Sequence, residues 1–222
     1  MEKMSYREIE TKKEFFTRGL LAKDLLKIAP GADEAAWFKL KTPNPDGSPN
    51  MSPLFWNLQF AQSYPRIFKN MIDLMVDALQ ESGIKFDHIL GVPEGGKSIA
   101  AAIGLTIGAP ILTLRKEAKD HGQGGLLIGD WKPGDRVLVA EDVATSGSSI
   151  HKDAAVKLRD LGMVVDYAIV GLDRLSGAAK YLGTAGIRLV SAMDVSEAVK
   201  FVPRDHPMYS VITEYVERTI VR

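Results

Sequence analysis

The chain has 222 residues, 45% hydrophobic and 25% charged, and its 28 Lys+Arg balance 28 Asp+Glu, which excludes a nucleic-acid binder driven by bulk positive charge. The absence of Cys excludes thiol nucleophiles, Cys-rich zinc sites and disulfide scaffolds and fits a reducing compartment, so the cytoplasm is the expected location. Neither an export signal nor a membrane anchor is expected: the opening MEKMSYREIETKKEFF mixes charges of both signs, and the most apolar run, residues 98–114, is broken by Gly104, Gly108 and Pro110.

Ser5 followed by Glu8 reads as a capping box. Ile9, Phe15, Phe16, Leu20, Leu21, Leu25, Leu26 and Ile28 then recur at helical spacing, so an amphipathic helix is predicted up to Pro30-Gly31. WFKLK (37–41) and SPLFWNLQF (52–60) flank PNPDGSPN, and their β-rich composition around a Pro/Asn/Asp/Gly turn predicts a hairpin. From Pro65 onward the pattern alternates between helix and strand. Helices are predicted at 67–79, 97–107 and 151–161, and strands at HILGV, ILTLR, RVLVA, VVDYAIVGL and IRLVSAM. Such alternation implies an α/β fold, a twisted parallel sheet flanked by helices. A small helix-plus-hairpin subdomain (1–64) would pack on this core (65–222), and YSVITEYVERTIVR would cover the sheet or a partner chain.

One connection is long. Residues 116–134 contain KEAKDHGQGG, in which Gly122, Gly124 and Gly125 supply backbone freedom and Lys116, Lys119 and His121 supply anion-binding groups, so a mobile lid is expected. His88 and His206 lack evident partners for ligation and are expected to be structural or exposed.

The most informative segment is RVLVAEDVATSGSSIHKDAAVKL, 136–158. Val137, Leu138, Val139 and Ala140 form a buried strand, Glu141 and Asp142 stand at its carboxyl end, and Val143, Ala144, Thr145, Ser146, Gly147, Ser148 and Ser149 lead into a helix. Ligands of open α/β sheets bind at the carboxyl ends of strands, and a Ser/Thr/Gly turn opening a helix aims N–H and O–H groups at a phosphate. Two acids beside an anion site make sense if they hold sugar hydroxyls, or a metal. A Ser/Gly turn alone would equally suit a capped helix with solvated acids; the whole series points to a ribose phosphate.

This stretch resembles the 5-phosphoribosyl-1-pyrophosphate (PRPP) signature of the type I phosphoribosyltransferases, and RKEAKDHG (115–122) is similar to the catalytic-loop segment of the orotate phosphoribosyltransferases. LKT (40–42), SPLFWN (52–57), FDHILGVP (86–93) and LDR (172–174) match in the same order. The resemblance implies a Mg²⁺-dependent transfer of the phosphoribosyl group of PRPP to orotate, in pyrimidine nucleotide synthesis. It implies that Glu141 and Asp142 hold the ribose hydroxyls and that Thr145, Ser146, Gly147, Ser148 and Ser149 cradle the 5-phosphate. Arg115, Lys116, Lys119 and His121 would neutralise pyrophosphate, from a loop shared across a homodimer; Lys119, His121 and Asp142 would be the catalytic residues. Lys41 would sit near the reacting centre with Thr145, Phe55-Trp56 would flank the pyrimidine, and Arg174 would pair with its carboxylate. Mg²⁺ would be held mainly by PRPP. Phe55 and Trp56, being successive strand residues, should point to opposite faces.

The pyrophosphate loop departs from the family pattern. It reads Pro93-Glu94-Gly95-Gly96-Lys97, and Glu94 would repel a pyrophosphate unless Mg²⁺ or Lys97 intervenes. Two other readings stay open on the sequence: a phosphoribosyltransferase with a different base acceptor, and a non-catalytic PRPP-binding regulator.

Overall fold

The computed structural model describes residues 6–40, 47–119 and 125–220, with Tyr6 and residues 116–119 placed by their backbone alone. Lys41 and His121 lie outside the described residues.

Helix α1 (Tyr6–Ala22) ends earlier than its apolar spacing predicts. Asp24 takes a left-handed conformation at φ 53°, the Asp24 N–H donates to Leu21 O, and the Leu25 N–H donates to Leu20 O at 2.9 Å. This is the Schellman closure, with Asp standing where Gly is usual. Leu25 and Leu26 are buried after the turn, and β1 (Leu26–Ile28) pairs antiparallel with a later strand instead of extending the helix.

The expected hairpin of 37–41 with 52–60 is only partly formed: β2 (Phe38–Lys39) pairs with β3 (Met51–Ser52), whereas β4 (Leu54–Trp56) pairs with β1 and Leu58–Ser63 turns into a 3-10 helix. Phe16 and Leu20 of α1, with Leu26 and Leu54, belong to the same apolar cluster as the core beyond residue 65. Lys12–Asp77 (2.7 Å) and Lys13–Glu197 (2.6 Å) ion pairs fix the direction of α1.

The remaining elements alternate as predicted. They are α2 (Pro65–Ser82), β5 (His88–Gly91), α3 (Gly96–Ile107), β6 (Ile111–Lys119), β7 (Gly125–Ile128), β8 (Arg136–Ala144), α4 (Val156–Asp160), β9 (Val164–Asp173), α5 (Ala178–Thr184), β10 (Arg188–Asp194), α6 (Val195–Ala198) and α7 (Tyr209–Thr219). The six-stranded sheet has the order β10-β9-β8-β5-β6-β7, parallel except for β7. Successive residues of one strand feed different cores: Ile89 and Leu138 pack with α2 and α3, whereas Leu90 and Val139 pack with Ala154, Leu158 and Leu182. Both faces are therefore covered, as near-continuous apolar strands require.

Two segments correct the expectations. The segment 116–134 is not one long loop: β6 continues to Lys119 and β7 returns beside it, with Leu114 opposite Leu127 and Lys119 opposite Gly125. The apolar GLLI finds a ladder partner in ILTLR, so the hairpin carries the charged segment as far as Lys119. The helix after the Ser-rich turn opens with wide π-type turns, Ser149–Ala155, before becoming α4.

Chain direction sets the location of the site. From β5 the chain moves to β6 on one side and later returns to β8 on the other, so the order reverses between β5 and β8. A crevice forms at the carboxyl ends of two such strands.

Candidate active site

The acid pair lies within β8, not beyond it. The sequence predicts a strand ending at Ala140, but β9 runs on to Asp173 and gives Glu141, Val143 and Ala144 ladder partners in Val170, Leu172 and Asp173. On its other edge, pairing with β5 stops at Gly91 opposite Ala140. Because successive strand residues face opposite ways, the carboxylates diverge. Glu141 turns to the Ser-rich side, where the Ser149 hydroxyl donates to Oε1 at 2.8 Å and lies 2.9 Å from Oε2. Asp142 turns to the 93–97 loop, where a methyl group placed on Gly95 would sit 3.7 Å from its carboxyl carbon; its Oδ1 accepts the Val143 N–H at 2.9 Å.

Burial raises both carboxyls. Glu141 is pushed up to about 7 by burial, partly offset by the Ser149 hydrogen bond, while the charges of Asp142 and Asp153 add to the rise. Asp142 is also raised by burial, against the pull of the backbone N–H groups of Val143, Asp142 and Gln59.

The turn that follows β8 is built for close approach. Gly147 adopts φ 75°, which side chains rarely tolerate, and a methyl group there would meet Leu182 of α5 at 2.9 Å. The Ser146 hydroxyl donates to Ser148 Oγ at 3.1 Å. Thr145, Ser146, Gly147, Ser148 and Ser149 line a cleft of about 520 Å³ together with Val143 and Asp153; the N-terminal strands contribute Lys39, Leu40, Phe55 and Trp56, and the end of β9 contributes Arg174. Ala144 is buried away from the cleft, and its carbonyl accepts the Arg174 N–H at 3.0 Å.

Arg174 is held from the opposite side as well. Its Nη2 reaches Ser52 Oγ at 3.4 Å, and Ser52, fully buried, also hydrogen-bonds both backbone groups of Leu54. Burial lowers the Arg174 pKa and Tyr215 opposes that effect. Asp173 does not pair with Arg174: its Oδ1 accepts the Leu175 N–H at 2.8 Å. Phe55 and Trp56 face opposite ways, 37% and 7% exposed.

The other expected residues fall outside this lining. Glu94 and Lys97 form an ion pair at 2.9 Å, and Gly95 borders Asp142. Arg115 stands on β6, its Nη1 donating to Gly125 O at 2.9 Å across the hairpin. Lys116 and Lys119 belong to β6 by backbone. His88 is buried beside Asp135, Nε2 to Oδ2 2.9 Å, and His206 Nδ1 accepts the Met208 N–H, so both are structural. Lys39 and Asp153 were not singled out by sequence, and Leu40 and Ser52 entered only as members of the LKT and SPLFWN matches. Lys39 was legible as the other Lys of the predicted strand WFKLK. Asp153 was too, four residues after Ser149 on a helix.

No family model matches the chain. It is 40% identical over 150 residues to the orotate phosphoribosyltransferase of Sulfolobus acidocaldarius, covering 68% of this chain and 74% of that one. It is 36% identical over 153 residues to that of Cenarchaeum symbiosum, covering 67% and 76%. This chain belongs to the orotate phosphoribosyltransferase family. A solved orotate phosphoribosyltransferase from Aeropyrum pernix superimposes with a TM-score of 0.65 at 25% identity, over 83% of this chain and 97% of that one. Phe55 lines the cleft with its ring tilted on Phe38 (centroids 5.6 Å apart), where the resemblance expects the acceptor base. Phe55→Ala should raise the acceptor's KM by roughly threefold to tenfold, the value of one aromatic contact, with the melting temperature nearly unchanged. Steady-state kinetics beside a thermal melt checks this, and an unchanged KM would put the base elsewhere.

Proposed function

We propose that this chain transfers the phosphoribosyl group of PRPP to orotate, releasing pyrophosphate and forming orotidine 5-phosphate, a step in making pyrimidine nucleotides. The observation that carries the reading is the meeting, in one cleft, of the 145–149 turn with Arg174 and Phe55. The turn suits a 5-phosphate. Arg174, a fork held by Ser52 and by its own backbone, suits the carboxylate of orotate. The sugar then lies over the end of β8, with Glu141 on the phosphate side and Asp142 on the side of the 93–97 loop, each taking ribose hydroxyls.

In the transfer, the bond from the ribose C1 to pyrophosphate breaks with its electron pair leaving on pyrophosphate, and a ring nitrogen of the base forms the new bond to C1. The protein has no bond to make. Its task is to position two ligands and to stabilise the positive sugar ring and negative leaving group. Buried carboxylates near the sugar suit the first charge. The cationic side chains Arg115, Lys116 and Lys119 of β6, with His121 next in sequence, suit the second, and we assign them to the neighbouring subunit's site in a homodimer, since Arg115 stands apart from the cleft lining of its own chain. The Lys97–Glu94 pair keeps Glu94 from facing pyrophosphate as a bare charge.

Among the described residues no three His, Asp or Glu side chains converge as a metal cage, and Ser149 covers both oxygens of Glu141. Mg²⁺ carried mainly on the oxygens of PRPP would neutralise charge on the leaving group.

Pyrophosphate release with PRPP, Mg²⁺ and a panel of bases tests the assignment, with orotate turned over and uracil and purines left. Arg174→Lys, which replaces the fork by a point charge, should raise KM for orotate by about tenfold, the worth of one charge-assisted hydrogen bond, and leave KM for PRPP nearly unchanged. Equal losses for both substrates would remove the carboxylate role.

A further inference from the structure

Glu141 is a mostly buried carboxylate in negative surroundings. Asp142 adjoins it, Asp153 adds repulsion from one helical turn beyond Ser149, and among the described residues no Lys, Arg or His forms an ion pair with it. What it has is the hydroxyl of Ser149, 2.8 and 2.9 Å from its two oxygens. The other serines of the turn are occupied with each other: Ser146 donates to Ser148 and accepts the Ser148 N–H.

A serine hydroxyl has one proton to donate. Ser149 can give it to Glu141 or to a phosphate, and a phosphate dianion has no proton to offer in return. When a phosphate takes the proton, Glu141 becomes a buried charge without a donor, which is costly unless another donor replaces it.

We propose that Ser149 is a positioning residue that couples the two halves of the sugar-phosphate site, by moving its one hydrogen bond from Glu141 to the 5-phosphate as ribose hydroxyls take its place on Glu141. This rests on the placement of the phosphate at the 145–149 turn and the ribose at Glu141. A ligand carrying both phosphate and diol, such as PRPP or a nucleotide product, leaves every group partnered. A phosphate without a diol strips Glu141 of its donor. The site thus discriminates against inorganic phosphate and against phosphorylated molecules lacking vicinal hydroxyls by more than the missing contacts alone.

Calorimetric titration of inorganic phosphate and of ribose 5-phosphate, at pH 8 and fixed ionic strength, into the full chain and its Glu141→Gln, Ser149→Ala and double variants tests the coupling. Glu141→Gln should bind inorganic phosphate about tenfold tighter, because no charge is stranded, and ribose 5-phosphate more weakly. In the Ser149→Ala background the same change should gain less than about threefold, the part due to removing a like charge, and Ser149→Thr should restore the larger gain. An equal gain in both backgrounds means plain repulsion and overturns the coupling while leaving the phosphate at the turn. If Ser149→Ala shifts neither ligand, the phosphate does not touch Ser149, and the coupling falls along with that part of the site reading. If the unaltered chain binds neither ligand, the site reading itself fails and takes the coupling with it.

Discussion

Gly96→Ala is expected to lower the melting temperature by roughly 6–12 °C and to remove most of the activity. A methyl group on Gly96 would stand 2.3 Å from the carbonyl oxygen of Ala140 and 3.1 Å from the backbone of Gly91. Both obstacles are main chain, so no side-chain rotation relieves them. The start of α3 must move away from β5 and β8, straining the Gly96 N–H to Val92 O bond (2.9 Å) and the Val92 N–H to Ala140 O bond (2.9 Å). Overpacking of this kind costs about 3 kcal/mol, and for a chain of this size each kcal/mol is worth about 2–4 °C. Activity should fall further because Ala140 precedes Glu141 and Gly95 borders Asp142, so the same shift disturbs the proposed sugar site. Gly183→Ala is the control: it lies in α5 with nothing within 4 Å of the added methyl, and should be neutral or stabilise by up to about 1 kcal/mol. Should Gly96→Ala melt within 2 °C of the parent, the backbone approach described here is wrong.

The alternation beyond Pro65 was legible because each strand carries apolar residues for two cores, as Ile89 and Leu90 do, and only a covered parallel sheet needs that. What sequence did not show has physical reasons. The end of α1 depends on Asp24 adopting a left-handed conformation, which composition does not announce as Gly would, and Leu25, Leu26 and Ile28 fit a helical spacing equally well. The length of β8 depends on how far β9 extends beside it, a property of the partner strand; Glu141 and Asp142 read locally as strand breakers. The hairpin at 111–128 hid because KEAK looks like solvated loop until GLLI is placed opposite ILTLR. The turn residues and Arg174, which line one cleft, were picked out from sequence, whereas the contact of Ser52 with Arg174 could not be: it spans 122 positions. Local order fixes a motif's chemistry, and tertiary contact decides who supports it.

Glu141→Gln should stabilise the ligand-free protein above pH 7, do almost nothing below pH 5, and cut turnover by roughly ten- to a hundredfold. The folded-state pKa of Glu141 is raised, chiefly by burial, from the ordinary 4.5 to about 7. A carboxyl raised in this direction binds its proton more tightly in the folded state than in the unfolded chain. The unfolded chain ionises first as pH rises, so folding loses stability from about pH 4.5 to about 7 and carries the full penalty above that. Over that interval the penalty is of order 3 kcal/mol, an upper value for a group that a serine hydroxyl also supports. Glutamine keeps the shape and the Ser149 contact without the charge, so its melting temperature should separate upward from the parent's across this pH range. Turnover should move the other way if Glu141 takes ribose hydroxyls as proposed, because the neutral amide is a weaker acceptor. PRPP should accordingly raise the melting temperature of the parent more than that of the variant, the ligand's hydroxyls replacing solvent that burial has taken from the carboxylate. Melting curves from pH 5 to pH 8, with and without PRPP, decide it: parallel profiles for parent and variant would mean that Glu141 titrates as an ordinary surface acid, and the idea that stability is given up there for sugar binding would have to be abandoned.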